Sequence, residues 1–170
     1  MSARRTIARD AVLEGIGLHL GHACRLVFRA APAGSGIRFR RTDLEGSPEI
    51  PARVDRAVLS ERRTQLGDGP ASLHTVEHVL AAIAGLEIDD LTIEMDAPEP
   101  PIMDGSARPF LDALQAAGVV ETGGRADHDL ADRLAIGEHA GLVCQGVLDL
   151  QVPLADVEFA DVLGSHLVGF

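Results

Sequence analysis

From Thr6 to Leu13, from Ala23 to Phe28 and from Ile37 to Arg41, apolar and polar residues roughly alternate, as a half-buried strand requires. A helical period does not set in until Ser72. A chain that opens on short strands must build a sheet, and its later helices must then lie on that sheet. The joints between the strands agree. Glu14-Gly15-Ile16-Gly17-Leu18-His19 suits a turn or bulge with close backbone approach, and Ala31-Pro32-Ala33-Gly34-Ser35-Gly36 is a plain turn signal.

Ser72 to Gly85 then reads as a helix. Ser72 caps it, Leu73, Val76, Val79, Leu80 and Ile83 share one face, and Gly85 stops it in a left-handed conformation. Ile88 to Met95 reads as a strand with Leu91, Ile93 and Met95 on one side. Ala97-Pro98-Glu99-Pro100-Pro101 is a stiff loop. A second helix runs from a cap at Ser106 to a stop at Gly118 and buries Phe110, Leu114 and Ala117. The expected fold class is α+β, a sheet with two main helices packed on it. Thr122-Gly123-Gly124 looks like a linker, which divides the chain into a domain over residues 1–121 and a segment of different character over 122–170.

Composition narrows the chemistry. All 15 basic residues are arginine, which excludes a Schiff-base lysine and a P-loop lysine. The charge is uneven: up to Leu66 there are 12 arginines against 7 acids, or +5, and from Gly67 there are 3 against 19, or −16. An acidic chain with neither Trp nor Tyr is a poor nucleic-acid binder, because that needs clustered cations and stacking rings. The basic first part, with Arg38, Arg40 and Arg41 on one strand, could still assist one anionic small ligand. Cys24 and Cys144 stand far apart with no CxxC pair. That pattern, the absence of any apolar run of membrane-spanning length and an N-terminus without a signal-peptide core point to a cytoplasmic protein.

One constellation carries chemistry: His74-Thr75-Val76-Glu77-His78. On a helix His74 and His78 project one turn apart from the same face, with Glu77 beside them. Neutral imidazole can hold Zn²⁺, the ion lowers the pKa of its water, and a carboxylate that is not a ligand takes the proton. Two histidines and a glutamate on the polar side of a helix also describe an ordinary solvated face. The H-x-x-E-H spacing equally matches inverted zinc proteases, for which Glu138 or Glu158 would be a downstream ligand.

The neighbouring residues separate these readings. Thr75-Val76-Glu77-His78 is followed by Leu80-Ala81-Ala82 and Ala84-Gly85-Leu86-Glu87-Ile88-Asp89, and later by Ala97 to Ala107 and Pro109-Phe110. Upstream lie Arg5-Thr6-Ile7, Gly15-Ile16-Gly17-Leu18-His19 and Gly36 to Leu44. This ordered series, over residues 4 to about 121, resembles the zinc-dependent UDP-3-O-acyl-N-acetylglucosamine deacetylase of bacterial lipid A synthesis. The resemblance implies the first of two similar α+β domains with zinc between them, acting on a UDP-linked acylated amino sugar and releasing acetate. It implies His78 as a zinc ligand and Glu77 as the general base. His19 matches the family's Gly-Leu-His motif, which implies a place beside the site, although a turn histidine bonded to backbone fits the residues as well. Asp104 reads as an Asx-type turn leading to Ser106.

The sequence also departs from the family. His74 stands where a small polar residue is more usual, so the resemblance implies that His74 is not a ligand. Glu61-Arg62-Arg63 replaces a more apolar stretch near the acyl-chain side. The second domain's His-Lys-x-x-Asp segment, with two further zinc ligands, cannot be intact in a chain without lysine. His128 and Asp132 share that spacing and are the candidate substitutes, although the residues around them do not match; His139 and His166 have less to recommend them. The expectation is therefore a truncated, frameshifted or diverged relative. It would bind zinc weakly, have little or no deacetylase activity, and be able to self-associate through the face left bare by the second domain. A catalytically incompetent remnant is the alternative reading.

Overall fold

The computed structural model describes residues 3–60 and 63–125. In chain order its strands are β1 (Ala3–Ile7), β2 (Ala11–Ile16), β3 (Ala23–Ala30), β4 (Ile37–Arg41), β5 (Glu49–Pro51), β6 (Ala57–Ser60), β7 (Arg63–Leu66), β8 (Leu73–His74), β9 (Leu91–Met95) and β10 (Val119–Arg125). Its α-helices are α1 (Glu77–Gly85) and α2 (Arg108–Ala117). The main sheet has the order β2-β3-β9-β4-β5, with β4 parallel to β9 and the other pairs antiparallel. A smaller sheet, β6-β7-β8, carries the approach to α1, and β1 pairs with β10 as a separate ribbon. The α+β expectation holds.

Alternation decides which side of the main sheet is buried. Leu13, Leu26, Phe28, Ile37, Phe39, Leu91, Ile93 and Met95 are buried together with Val79, Ala82 and Ile83 of α1 and Phe110, Leu111 and Leu114 of α2. Helix α1 packs on α2, and α2 packs on β2. Ile93 sits in register between Phe28 and Phe39, the two aromatic side chains of its neighbouring strands. Removing one methyl there by Ile93→Val is expected to cost about 0.5–1.5 kcal/mol, measured by denaturant unfolding.

The other side of the sheet is a lattice of charges. Arg29 bridges Asp10 and Glu94, and Arg40 bridges Glu94 and Glu49, which also pairs with Arg38. Such exposed pairs contribute little stability each. They do occupy the arginines that the sequence offers to an anionic ligand. Arg41 turns inward by the same alternation, is buried, pairs with Asp43 and donates to the Ser72 carbonyl at 3.1 Å.

Several sequence expectations are corrected. The strand expected over Thr6 to Leu13 is two strands, because β1 pairs with β10 while β2 pairs with β3, and the chain bends between them to change sheets. The residues read as a linker, 122–124, lie within β10, where Gly123 and Gly124 take positive φ near a register shift opposite Ala3 and Arg5. The helix expected from Ser72 begins only at Glu77. Leu73 and His74 pair with Leu66 and Gln65 of β7 instead, and Thr75 turns left-handed at φ 56°. That helix also stops differently: Glu87 takes the left-handed conformation expected of Gly85. The second helix ends as expected at Gly118, φ 79°, but its cap position is Ala107 rather than Ser106, whose Oγ accepts the Arg108 N–H at 3.1 Å from one residue further out.

Candidate active site

Three backbone bonds fix the entry to α1. His74 N–H donates to the Pro98 carbonyl at 2.9 Å, Thr75 N–H to the Thr64 carbonyl at 2.8 Å, and Leu80 N–H to the Val76 carbonyl at 3.0 Å. A left-handed threonine costs about 1–3 kcal/mol and persists only where its surroundings over-determine it. Here they do, and the result is that Glu77 falls in the first helical turn. Its side chain is buried, and the Thr64 N–H points at its Oε2 from 3.4 Å. The unpaired N–H groups of a helix's first turn favour a negative charge at that place. His78 follows, half-buried, so a buried carboxylate and a reachable imidazole stand side by side.

The loop from Met103 to Ser106 approaches the same imidazole. The Asp104 carboxyl is held below the usual carboxylate range, chiefly by the hydroxyl and N–H of Ser106, with a smaller contribution from the charge of nearby His78. Both Ser106 groups donate to Asp104 Oδ1, at 2.8 and 2.9 Å, which is the Asx turn expected from the sequence. His19 lies exposed in the loop between β2 and β3. Its backbone N–H and that of Leu20 are both bound by the Glu99 carboxylate, which also receives the Thr75 hydroxyl. The structure thus ties the His19 loop to the turn that places Glu77 and His78.

Glu99 is the residue sequence reading missed. It is fully buried. Burial pushes its pKa up, but the Leu20 N–H, the Thr75 hydroxyl and the His19 N–H outweigh this and hold it below the ordinary value. Gly17 passes directly over it: a Cβ there would lie 2.6 Å from Glu99 Oε2. The close approach read from the glycine motif therefore has a specific partner. Gly17→Ala is expected to destabilise the fold by about 1–3 kcal/mol, read from thermal unfolding, because neither the backbone nor the pinned carboxylate can yield cheaply.

His74 does not join the site. On β8 rather than on α1, it is not one helical turn from His78, and the geometry that the H-x-x-E-H spacing needs is absent. His128 and Asp132, like Glu138, His139, Glu158 and His166, lie outside the described residues. Among the described residues no three His, Cys, Asp or Glu side chains stand together in a way that could hold a metal ion. The residues described do not by themselves fit a zinc centre; His78 is the one candidate donor beside Glu77. Cys24 is buried, and burial, followed by the charge of Asp96, pushes its thiol up to about 12, so it is neither a nucleophile nor a ready ligand. A depression of about 590 Å³ lined by Arg40, Thr42, Ser47, Glu49 and Glu94 belongs to the charged side of the sheet and includes no residue of this site.

Residues 4–140 match the family profile of UDP-3-O-acyl N-acetylglycosamine deacetylase, LpxC. Among curated proteins, the bifunctional enzyme LpxC/FabZ of Chlorobaculum tepidum is 49% identical over 118 residues, 69% of this chain and 25% of the relative. The UDP-3-O-acyl-N-acetylglucosamine deacetylase of Bdellovibrio bacteriovorus is 46% identical over 121 residues, 71% of this chain and 40% of the relative. That of Myxococcus xanthus is 48% identical over 118 residues, 69% of this chain and 38% of the relative. The chain thus spans between a quarter and two fifths of the length of these relatives. With a match over most of its length and an α+β fold that presents Glu77 and His78 together, the chain belongs to the UDP-3-O-acyl N-acetylglycosamine deacetylase family.

Proposed function

We propose that the domain described here supplies the general base and one metal ligand for hydrolysis of the acetamide of a UDP-3-O-acyl-N-acetylglucosamine, the committed step of lipid A synthesis. The observation that carries this reading is the buried Glu77 in the first turn of α1, next to the half-exposed His78. In the reaction a water oxygen forms a bond to the acetamide carbon while Glu77 takes a proton from that water. The carbon–nitrogen bond then breaks, the proton passes to the departing nitrogen, and acetate and a free amine result. Zinc, the cofactor the family implies, supplies Lewis-acid polarisation when bound. His78 is its one candidate ligand among the described residues, so further ligands must come from outside them. His128 and Asp132 remain proposed donors by spacing alone. The domain on its own is accordingly expected to bind zinc weakly and to show little turnover.

Other parts of this reading concern surroundings. Among the described residues no helix is long and apolar enough to cross a membrane. A cytoplasmic location is our proposal, resting on the family resemblance. Val12, Ile16 and Leu18 expose apolar side chains along β2 and the loop after it, the surface we propose for self-association or for the rest of a complete enzyme.

The test is a chimaera in which residues 4–121 replace the corresponding segment of the Myxococcus xanthus relative. It is expected to release acetate from UDP-3-O-acyl-N-acetylglucosamine. Its zinc content, measured by mass spectrometry, is expected to fall with His78→Ala and to stay unchanged with His74→Ala. Equal losses with both variants would favour the protease-like ligand pair and contradict the reading.

A further inference from the structure

The carboxylate of Glu99 gathers groups that are far apart in sequence. The His19 N–H donates to both of its oxygens, at 3.1 Å to Oε1 and 3.0 Å to Oε2, and the Leu20 N–H donates to Oε2 at 2.9 Å. Thr75 Oγ1 donates to Oε1 at 2.7 Å. The first two partners lie 80 and 79 residues away, the third 24. None of these donors is a cation. Asp90, the other fully buried carboxylate among the described residues with a depressed pKa, is instead paired with an arginine. A buried charge held chiefly by oriented neutral dipoles demands that each donor be accurately placed, and it places them in return.

What Glu99 places is the frame of the candidate site. Thr75 is left-handed, and its only side-chain hydrogen bond shown is the one to Glu99. Two residues later the chain enters the helix that carries Glu77 and His78. On the other side, the bonds to His19 and Leu20 hold the loop that begins at Gly17, while the His19 side chain stays exposed. Proline at 98, 100 and 101 leaves the Glu99 backbone little freedom of its own. The missing Cβ at Gly17 lets the loop close onto the carboxylate.

We propose that Glu99 is a positioning residue, a buried latch that locks the His19 loop to the Thr75 turn and so fixes where Glu77 and His78 stand. It touches neither substrate nor metal in this scheme. The proposal deepens the deacetylase reading of the site, but its primary readout does not depend on activity.

The experiment is hydrogen exchange and imidazole NMR on the full chain, comparing wild type with Glu99→Gln and Thr75→Val. In Glu99→Gln the N–H₂ can turn to the Thr75 hydroxyl, which can accept, but the His19 and Leu20 N–H groups lose their charged acceptor whichever way the amide is turned. Exchange at the His19 and Leu20 amides is expected to accelerate by about tenfold or more, the scale of losing a hydrogen bond to a charged acceptor, while the β3–β9 amides keep their protection. The His78 imidazole resonances are expected to shift in the same variant. Thr75→Val is expected to shift His78 and leave His19 and Leu20 protected, because it removes one arm of the latch only. Unchanged exchange at His19 and Leu20, or an equal rise throughout the chain, would overturn the latch. If Glu99→Gln does not fold, Thr75→Val decides alone: unmoved His78 resonances refute the proposal. In the chimaera, Glu99→Gln is expected to lower kcat more than it raises KM. A chimaera that is inactive with Glu99 intact would count against the deacetylase reading and leave the exchange result standing.

Discussion

Glu77→Gln in the chimaera is expected to reduce acetate release by about 10²- to 10⁴-fold, the range over which a positioned general base contributes, with zinc content unchanged. The amide has the size and shape of the carboxylate, so the buried site beside Thr64 is preserved; what disappears is the ability to take a proton. The substitution also removes the negative charge that the first turn of α1 favours, so a small loss of stability accompanies it. Glu77→Asp keeps the charge but withdraws it by one methylene, and it is expected to lie between wild type and Gln. Activity that survives Glu77→Gln would remove this residue from the chemistry and shift attention to Asp104 or to residues beyond those described.

The largest expected effect on stability comes from Asp90. Its side chain is fully buried and is held by Arg4 at 2.7 and 2.8 Å and by the Gly36 N–H at 2.8 Å. These bonds join β1 to the start of β4 through the chain entering β9. Asp90→Asn leaves the mostly buried Arg4 facing a neutral amide, and breaking one side of a buried pair costs about 3–5 kcal/mol. The same pair sets an acid limit. Burial pushes the Asp90 carboxyl up, but the hydrogen bonds from Arg4, Gly36 and Gly34 and the charge of Arg4 outweigh it and leave the pKa below the ordinary 3.8. A depressed carboxylate stabilises fully above its unfolded pKa, and that contribution is lost as pH falls through the folded value. Glu99 and Asp43 are depressed as well and act in the same direction. Unfolding midpoints are therefore expected to be flat at neutral pH and to drop below about pH 4, with a smaller drop in Asp90→Asn. A variant whose acid limit matches wild type would show that Asp90 is not what sets it.

Much of this fold is legible in the sequence, and the failures have a common cause. The strands at Ala23, Ile37 and Leu91 and the helix before Gly118 follow from local alternation and local caps, because their burial and their neighbours agree. The break at Ala8 to Asp10 is only faintly marked: Arg9-Asp10 interrupts the rough alternation only briefly, and it is the change of pairing partner that divides β1 from β2. The start of α1 was misread for a similar reason. Leu73 and Val76 fit a helical face, but Leu73 is bonded into β7 and Thr75 adopts a conformation that a sequence discourages.

In the candidate site, Glu77, His78 and the glycine motif before His19 were legible as residues, while their connection was not. Glu99 stood in plain view as the one charged residue in a run of prolines. A carboxylate there has to find donors, but its donors at His19 and Leu20 are supplied by the sheet, which brings β2, β3 and the segment after β9 together. The adjacent pairs Arg4-Arg5 and Asp89-Asp90 offered a similar signal: across more than eighty residues the Arg4 guanidinium pairs with Asp90 and the Arg5 N–H donates to Asp89, while the Arg5 guanidinium goes to Glu87.

Acetate release from UDP-3-O-acyl-N-acetylglucosamine by the chimaera carrying wild-type residues 4–121 tests the central claim most directly. The account predicts turnover that zinc chelation stops and that Glu77→Gln lowers by about 10²- to 10⁴-fold. A folded, zinc-loaded chimaera that releases no acetate would contradict it.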